Sequence, residues 1–125
     1  MKTIIATDKA PATIGPYSQG VASDYISITS GQLPIDPATG MFADGGITGQ
    51  TRQSLENVKS VLAAGGYTMD NVIKTTVFLK SMDDFAAMNE VYATYFTNNP
   101  PARSAVEVAR LPKDALVEIE AIAVR

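Results

Sequence analysis

Cysteine and histidine are both absent from the 125-residue sequence. Without cysteine, the chain can form no disulfide and has no thiol nucleophile. Without histidine, it lacks the commonest general base and the commonest neutral metal ligand. These absences exclude serine-histidine hydrolases, cysteine proteases and ordinary zinc enzymes. Any chemistry must therefore use Asp, Glu, Lys, Arg, Tyr, Ser, Thr or the backbone, and no metal site is expected.

The sequence also lacks a strong excess of charge and a long apolar run. Its net charge is −3, and the ten Lys and Arg residues are scattered rather than clustered, so no nucleic-acid surface is indicated. No stretch approaches the roughly 18 apolar residues of a membrane helix. The beginning "MKTIIATDKAPA" does not have the pattern of a signal peptide. We therefore expect a cytoplasmic protein with neither a membrane nor a nucleic acid as its partner.

The remaining composition is that of a folded globular chain, with 46% hydrophobic and 18% charged residues. A length of 125 residues fits one domain. We predict a single domain over residues 1–125.

Apolar spacing predicts the first half of the fold. In "YISITSGQLPID", Ile26 and Ile28 alternate with polar residues, which indicates a strand, and Gly31 suggests a position that another group approaches closely. "DPATG" then predicts a turn and a β-hairpin. The helical spacing of Leu55, Val58 and Leu62 predicts a helix over residues 48–64. Thr48 is its expected cap, and "GG" at residues 65–66 is its expected stop.

The second half continues as strand, helix, strand and strand. "NVIKTTVFLK" predicts a strand whose residues Ile73, Thr75, Val77 and Leu79 share one face. "SMDDFAAMNEVYATYF" predicts a helix with capping candidates at its start, and we assign its apolar stripe to the core: Phe85, Met88, Tyr92 and Phe96. "RSAVEVA" and "LVEIEAIAV" predict two adjacent strands. The order β-β-α-β-α-β-β favours an α+β fold, in which two helices cover one face of a mixed sheet, over a doubly wound parallel sheet.

The last two predicted strands carry the main candidates for chemistry. Glu118 and Glu120 lie two residues apart, so both side chains project from one face, about 6.6 Å apart along the strand. They are either solvated carboxylates or parts of a site. Arg103 begins the preceding strand, and its guanidinium suits either a salt bridge to a glutamate or the carboxylate of a ligand.

Weaker candidates lie nearer the N-terminus. Tyr17, in "GPYSQG", is either an exposed phenol at a cleft or an anchor for its loop. Ser30 and Gly31 either supply a hydroxyl and a backbone amide to a ligand or have a structural role. "AAGGY" and "DGGITG" lack the spacing of a phosphate-binding loop.

Five stretches together resemble the RidA/YjgF family, the reactive intermediate deaminases, almost from end to end: "TDKAPATIGPYSQG", "ITSGQLPIDPATG", "QTRQSLENVKSVLAAGG", "NVIKTTVFLKSMDDFAAMNEVYATYF" and "PPARSAVEVARLPKDALVEIEAIAV". This resemblance implies a chorismate-mutase-like fold and a homotrimer with equivalent sites between subunits. It implies hydrolysis of enamine and imine acids, such as 2-iminopropanoate and 2-iminobutanoate, to 2-oxo acids and ammonia. No metal or cofactor is implied.

The resemblance also implies residue roles. Arg103 matches the arginine that holds the substrate carboxylate, Glu118 the acid that positions or activates water, and Tyr17 a cleft tyrosine. Positions lining the pocket are matched by Ser30, Gly31 and Asn89, while Glu120 is assigned to structure. Ala105 stands where many members have cysteine. The role implied there is a backbone carbonyl that contacts the imine nitrogen, which alanine retains, so we expect an active enzyme.

Other functions remain open from the sequence. One alternative is a non-catalytic trimer that binds 2-oxo acids or related metabolites, which would need Arg103 but not Glu118. Another is an endoribonuclease or translation inhibitor, which the missing histidine and the missing basic stripe disfavour. A chaperone-like role leaves no sequence signature to weigh.

Overall fold

Two helices cover one face of a six-stranded sheet in the computed structural model, which describes residues 1–125. The elements follow one another as β1 (Thr3–Ile5), β2 (Gly20–Ala22), β3 (Ile26–Thr29), β4 (Ile35–Asp36), β5 (Met41–Phe42), α1 (Gly46–Ala64), β6 (Val72–Leu79), α2 (Phe85–Tyr95), β7 (Ala102–Glu107) and β8 (Val117–Val124). The sheet order is β1-β2-β3-β8-β6-β7, and only the β6–β7 pair is parallel. Strands β4 and β5 form the predicted hairpin as a separate small sheet. The predicted α+β class is confirmed.

The last two strands are neighbours in sequence but not in the sheet. Strand β6 lies between them, paired in parallel with β7 and antiparallel with β8. A parallel pair needs a crossover connection, and α2 supplies it between β6 and β7. The expectation that the final strands are adjacent is therefore wrong for the sheet.

The core lies between the helices and the sheet. In α1, Leu55, Val58 and Leu62 are fully buried, as their spacing predicts. The predicted stripe of α2 is also confirmed, with Met88 and Tyr92 buried and Phe85 packed at the edge of the core. Neither helix is long and apolar enough to cross a membrane.

The start of α1 differs from the prediction. The helix begins two residues before Thr48, and Gly45 is its N-cap, with a left-handed φ of 104°. Such a φ strongly favours glycine, so backbone conformation rather than a threonine side chain sets this boundary. The predicted stop is confirmed, because Gly65 donates its N–H to the Leu62 carbonyl and Gly66 is left-handed at φ 85°.

The alternation in β6 is interrupted near its start. Thr75, Val77 and Leu79 are buried, as predicted, but Ile73 is exposed and Val72 is buried instead. An irregularity in the pairing with β8 falls between Val72 and Lys74. Val72 faces the helices before it, and Thr75, Val77 and Leu79 face them after it.

The sheet face opposite the helices is uncovered within the chain, and we call it the open face. It is polar at Glu118 and Glu120 of β8 and apolar along β1, β2 and β3. A row of four side chains crosses it from strand to strand: Ile4, Val21, Ile28 and Ile122. Ile4 and Ile28 are about half exposed, at 54% and 46%. In β3 it is Ser27 and Thr29 that face the helices, and the Thr29 hydroxyl accepts a hydrogen bond from the Ala121 N–H at 3.0 Å. A soluble monomer rarely exposes such a continuous apolar surface.

Candidate active site

A pocket of about 550 Å³ brings together four of the predicted site residues, Tyr17, Ser30, Gly31 and Glu118. Its size is that of a small-molecule site. The rest of its wall comes from the loop before β2, the segment between β3 and β4, and the turn before β8: Pro11, Ala12, Thr13, Ile14, Gln19, Gln32, Leu33, Ile35, Pro112 and Lys113. Nowhere in the chain do three Asp or Glu side chains converge as a metal site requires.

Glu118 is placed by the alternation of β8. Its neighbours Val117 and Ile119 are fully buried against the helices, so the Glu118 side chain projects from the open face. Burial raises the pKa of this carboxyl above its usual value, and the charge of Glu120 on the same face raises it further. No hydrogen bond offsets this rise. Glu118 is therefore a carboxyl suited to accept a proton at a higher pH than an ordinary glutamate.

Gly31 lies directly against the Glu118 carboxyl. A β-carbon at this position would overlap Glu118 Oε2 and would lie only 2.8 Å from its Cδ. The φ of Gly31 is not positive, so space rather than backbone conformation requires glycine here. The close approach predicted from the sequence is confirmed. The Gly31 N–H donates to no other group of the chain and remains available to a ligand.

Ser30 helps to build the pocket wall. Its hydroxyl donates to the Ser18 carbonyl at 2.6 Å, and its N–H donates to the Gln19 carbonyl at 2.8 Å. The hydroxyl proton is therefore already engaged. The buried Gln19 amide binds the preceding loop, accepting from the Thr7 N–H at 2.6 Å and donating to the Pro11 carbonyl at 2.8 Å. Sequence reasoning missed Gln19, because a single glutamine in a loop gives no signal of such a role.

The position of Tyr17 distinguishes between an exposed phenol at a cleft and an anchor for its loop. Its side chain is 53% exposed and lines the pocket. The turn that presents it includes Gly15, at φ 110°, whose carbonyl accepts the Tyr17 N–H at 3.0 Å. The phenol thus belongs to the cleft rather than anchoring the loop.

A second group of predicted residues surrounds Arg103 on the helix side of the sheet. The Arg103 Nη1 donates to Asn89 Oδ1 at 2.6 Å. The guanidinium carbon lies 4.7 Å from the centre of the Tyr92 ring and 5.4 Å from that of Phe85. Ala105, two residues further along β7, packs its side chain against the same core. Since β7 is an edge strand, its outer side has no strand partner within the chain.

The two groups do not meet within one chain. Arg103 points toward α2, whereas Glu118 points from the open face, and β6 separates their strands. Arg103 therefore forms no salt bridge to a glutamate within the chain. The single ion pair of the chain joins Arg110 and Asp114 at 3.1 Å, both largely exposed.

Comparison with known proteins identifies the family. Residues 7–125 match the family model described as Endoribonuclease L-PSP. The chain belongs to the RidA/YjgF family. It is 58% identical over 123 residues to a RutC family protein of Pyrococcus horikoshii, covering 98% of both chains. It is 55% identical over 128 residues to the 2-iminobutanoate/2-iminopropanoate deaminase of Salmonella typhimurium, covering 100% of this chain and 99% of the relative.

Solved structures of family members confirm the RidA-type fold. TdcF of E. coli, solved with bound serine, has a TM-score of 0.94 and 49% identity to this protein, covering 98% of both chains. The names within this RidA/YjgF group differ, since they include deaminase, RutC and endoribonuclease. The family and its fold are therefore established.

Proposed function

We propose that this protein hydrolyses reactive 2-imino acids and their enamine tautomers, such as 2-iminopropanoate and 2-iminobutanoate, to 2-oxo acids and ammonia. This proposal rests on the Glu118 carboxyl, which lies in a pocket of small-molecule size. Its pKa is raised, and it has no hydrogen-bond partner within the chain. The deaminase name of a relative with 55% identity supports the same reaction.

Arg103 supplies the means to hold the substrate carboxylate. Only its Nη1 group is engaged, by Asn89, and no carboxylate of the chain neutralises it. The Nε–H and Nη2–H edge remains open, and this edge matches the two oxygens of a carboxylate. Asn89 therefore acts by holding Arg103 rather than by touching the substrate.

The hydrolysis itself needs little activation. A protonated imine is already electrophilic, so one oriented water suffices as the nucleophile. Glu118 accepts a proton as the water oxygen bonds to the imine carbon and the C=N π electrons move to nitrogen. Glu118 then returns that proton to the nitrogen, and the C–N bond breaks as the carboxylate takes the hydroxyl proton to form the ketone. Glu118 passes this second proton to the departing ammonia. Iminium and water thus become 2-oxo acid and ammonium.

The remaining pocket groups fit binding and orientation. The exposed phenol of Tyr17 and the free N–H of Gly31 can hydrogen-bond to the water or to the ligand. Ser30 contributes by fixing the loop that carries Tyr17. Ala105 offers its backbone carbonyl to the imine nitrogen, a role that does not depend on its side chain.

A complete site requires a second copy of the chain. Arg103 and Glu118 project from opposite faces of one sheet, so we propose that the Arg103 group of one subunit meets the pocket of another. The open face provides the apolar surface for this contact, since Ile4 and Ile28 lie on it half exposed. A homotrimer with three equivalent sites between subunits is the assembly we propose.

The test is a coupled assay in which a serine or threonine dehydratase forms the imine and semicarbazide traps what escapes hydrolysis. Wild type should lower the trapped product and speed 2-oxo acid formation, whereas Arg103→Ala and Glu118→Gln should not. Arg52→Ala, on the exposed surface of α1, is the matched control and should behave as wild type.

The same variants separate the alternatives. Glu118→Gln should still bind a 2-oxo acid while losing turnover. A wild type that binds 2-oxobutanoate but leaves the trapped product unchanged would contradict the deaminase proposal and favour a non-catalytic binding protein. The absence of histidine continues to disfavour an endoribonuclease.

A further inference from the structure

The surroundings of Arg103 contain an aromatic support beyond its hydrogen bond to Asn89. The guanidinium lies over two rings of α2, closer to Tyr92, at 4.7 Å, than to Phe85, at 5.4 Å. Phe85, Asn89 and Tyr92 are spaced four and three residues apart, so one helix face presents all three to β7. Arg103 is therefore held both by the Asn89 hydrogen bond and by two aromatic rings.

Tyr92 is itself rigidly placed. Its side chain is only 5% exposed, and its hydroxyl shares a 2.6 Å hydrogen bond with the Thr75 hydroxyl. Thr75 is fully buried on β6 and is the register partner of Arg103 on β7. The Phe96 ring packs against Tyr92 at 4.7 Å between centroids. The ring beneath Arg103 is thus fixed to the strand next to that of the arginine.

We propose that Tyr92 is a positioning residue for substrate binding. Its ring, fixed by Thr75, sets the plane of the Arg103 guanidinium so that the open Nε and Nη2 edge faces the incoming carboxylate. This inference rests on the proposed function only in assigning a carboxylate to Arg103. The stacking itself is a property of the chain.

The physical reason is preorganisation. A free arginine side chain has many rotamers, and ordering it on binding weakens the affinity. Stacking on an aromatic face and the Asn89 hydrogen bond remove that freedom before the ligand arrives. A guanidinium held over an aromatic ring uses none of its N–H donors in that contact, so they stay free for two hydrogen bonds to a carboxylate.

Three variants test this role. Tyr92→Leu keeps apolar volume but removes the ring, and it should raise KM for the imine about tenfold, with kcat nearly unchanged. Tyr92→Phe keeps the ring but loses its hydrogen bond to Thr75, so it should recover most, not all, of the wild-type KM. Tyr67→Leu is the matched control, because Tyr67 is also buried and stacked with an arginine, Arg125 at 4.4 Å, which belongs to neither site group. It should lower the thermal stability but leave KM unchanged.

Two results would overturn the proposal. One is a wild-type KM in Tyr92→Leu, and the other is an equal rise of KM in Tyr67→Leu, which would attribute the effect to general destabilisation. If Tyr92→Leu does not fold, Phe85→Leu removes the more distant, half-buried ring and should raise KM by a smaller factor. An unchanged KM in that variant would also contradict the proposal.

A measurement without substrate keeps this inference separate from the proposed function. NMR relaxation of the Arg103 Nε–H should report an ordered side chain in wild type and Tyr92→Phe and a mobile one in Tyr92→Leu. Equal order in all three proteins would refute the positioning role whatever the turnover. An ordered Arg103 in a wild type without imine hydrolysis would refute the proposed function alone.

Discussion

Replacing Gly31 by alanine should disable the site while leaving the fold intact. The added β-carbon would overlap Glu118 Oε2 and lie 2.8 Å from Cδ and 3.2 Å from Cγ. An ordinary carbon contact needs about 3.5 Å or more, so the carboxylate must move by roughly 1 Å. The Glu118 side chain can rotate away, and the φ of Gly31 suits any residue, so we expect little loss of thermal stability.

Gly31→Ala should slow the chemical step rather than weaken ligand binding. A displacement of about 1 Å of a group that positions water can lower the rate on the order of 100-fold. The coupled dehydratase assay should therefore show kcat reduced by about this factor, with 2-oxobutanoate binding retained. Because the effect acts through Glu118, adding Gly31→Ala to Glu118→Ala should cause no further loss. Near-wild-type kcat in Gly31→Ala, or additive losses in the double variant, would refute this reasoning.

Four further predictions follow from the charges and hydrogen bonds. Glu118→Gln should raise Tm at pH 7 but leave it unchanged at a pH below the ordinary carboxyl pKa. Burial and Glu120 raise the pKa of Glu118 in the folded state, so ionising this carboxyl as the pH rises lowers the stability of the fold, and glutamine avoids that loss. An equal gain in Tm at both pH values in thermal melts would contradict this prediction. Glu120→Gln should move the acidic limb of the kcat/KM profile to lower pH, because it removes a charge that raises the Glu118 pKa. Arg103→Lys should weaken 2-oxobutanoate binding about 10- to 100-fold in calorimetry, because an ammonium loses the two-pronged contact and the stack. Asn57→Ala should cost about 2–4 kcal/mol in denaturant unfolding, because the buried amide donates to two carbonyls of segment 33–35.

Local patterns predicted most of the fold. The helical spacing of Leu55, Val58 and Leu62 located α1, and the alternation around Glu118 correctly separated its core face from its polar face. Such periodicity marks the residues that a neighbouring layer buries, so it can be detected in the sequence alone. The order of strands in the sheet was not accessible in the same way. Nothing local to β7 or β8 specifies that β6 inserts between them.

Errors at the level of single residues arose where backbone geometry decides. The α1 start depends on a left-handed Gly45, and the exposure of Ile73 depends on an irregularity in strand pairing. Neither leaves a clear trace in side-chain periodicity. In the site, the residue types suggested a carboxylate-binding arginine and a candidate acid, and the resemblance to the family supplied the reaction. Only the structure reveals that Arg103 and Glu118 lie on opposite faces. The sequence does not indicate that Tyr92 supports Arg103, because an apolar stripe on a helix is equally typical of a residue row in the core.

A subunit-mixing experiment with Arg103→Ala and Glu118→Ala, each expected to be inactive alone, tests whether the site is shared between subunits. Each proposed site takes Glu118 from one subunit and Arg103 from another. After joint unfolding and refolding in equal amounts, half of the subunits supply an intact glutamate and half an intact arginine, so about a quarter of the sites should be whole. We predict recovery of about that fraction of wild-type imine hydrolysis. No recovery, in a mixture confirmed by mass spectrometry to contain mixed oligomers, would contradict a site shared between subunits.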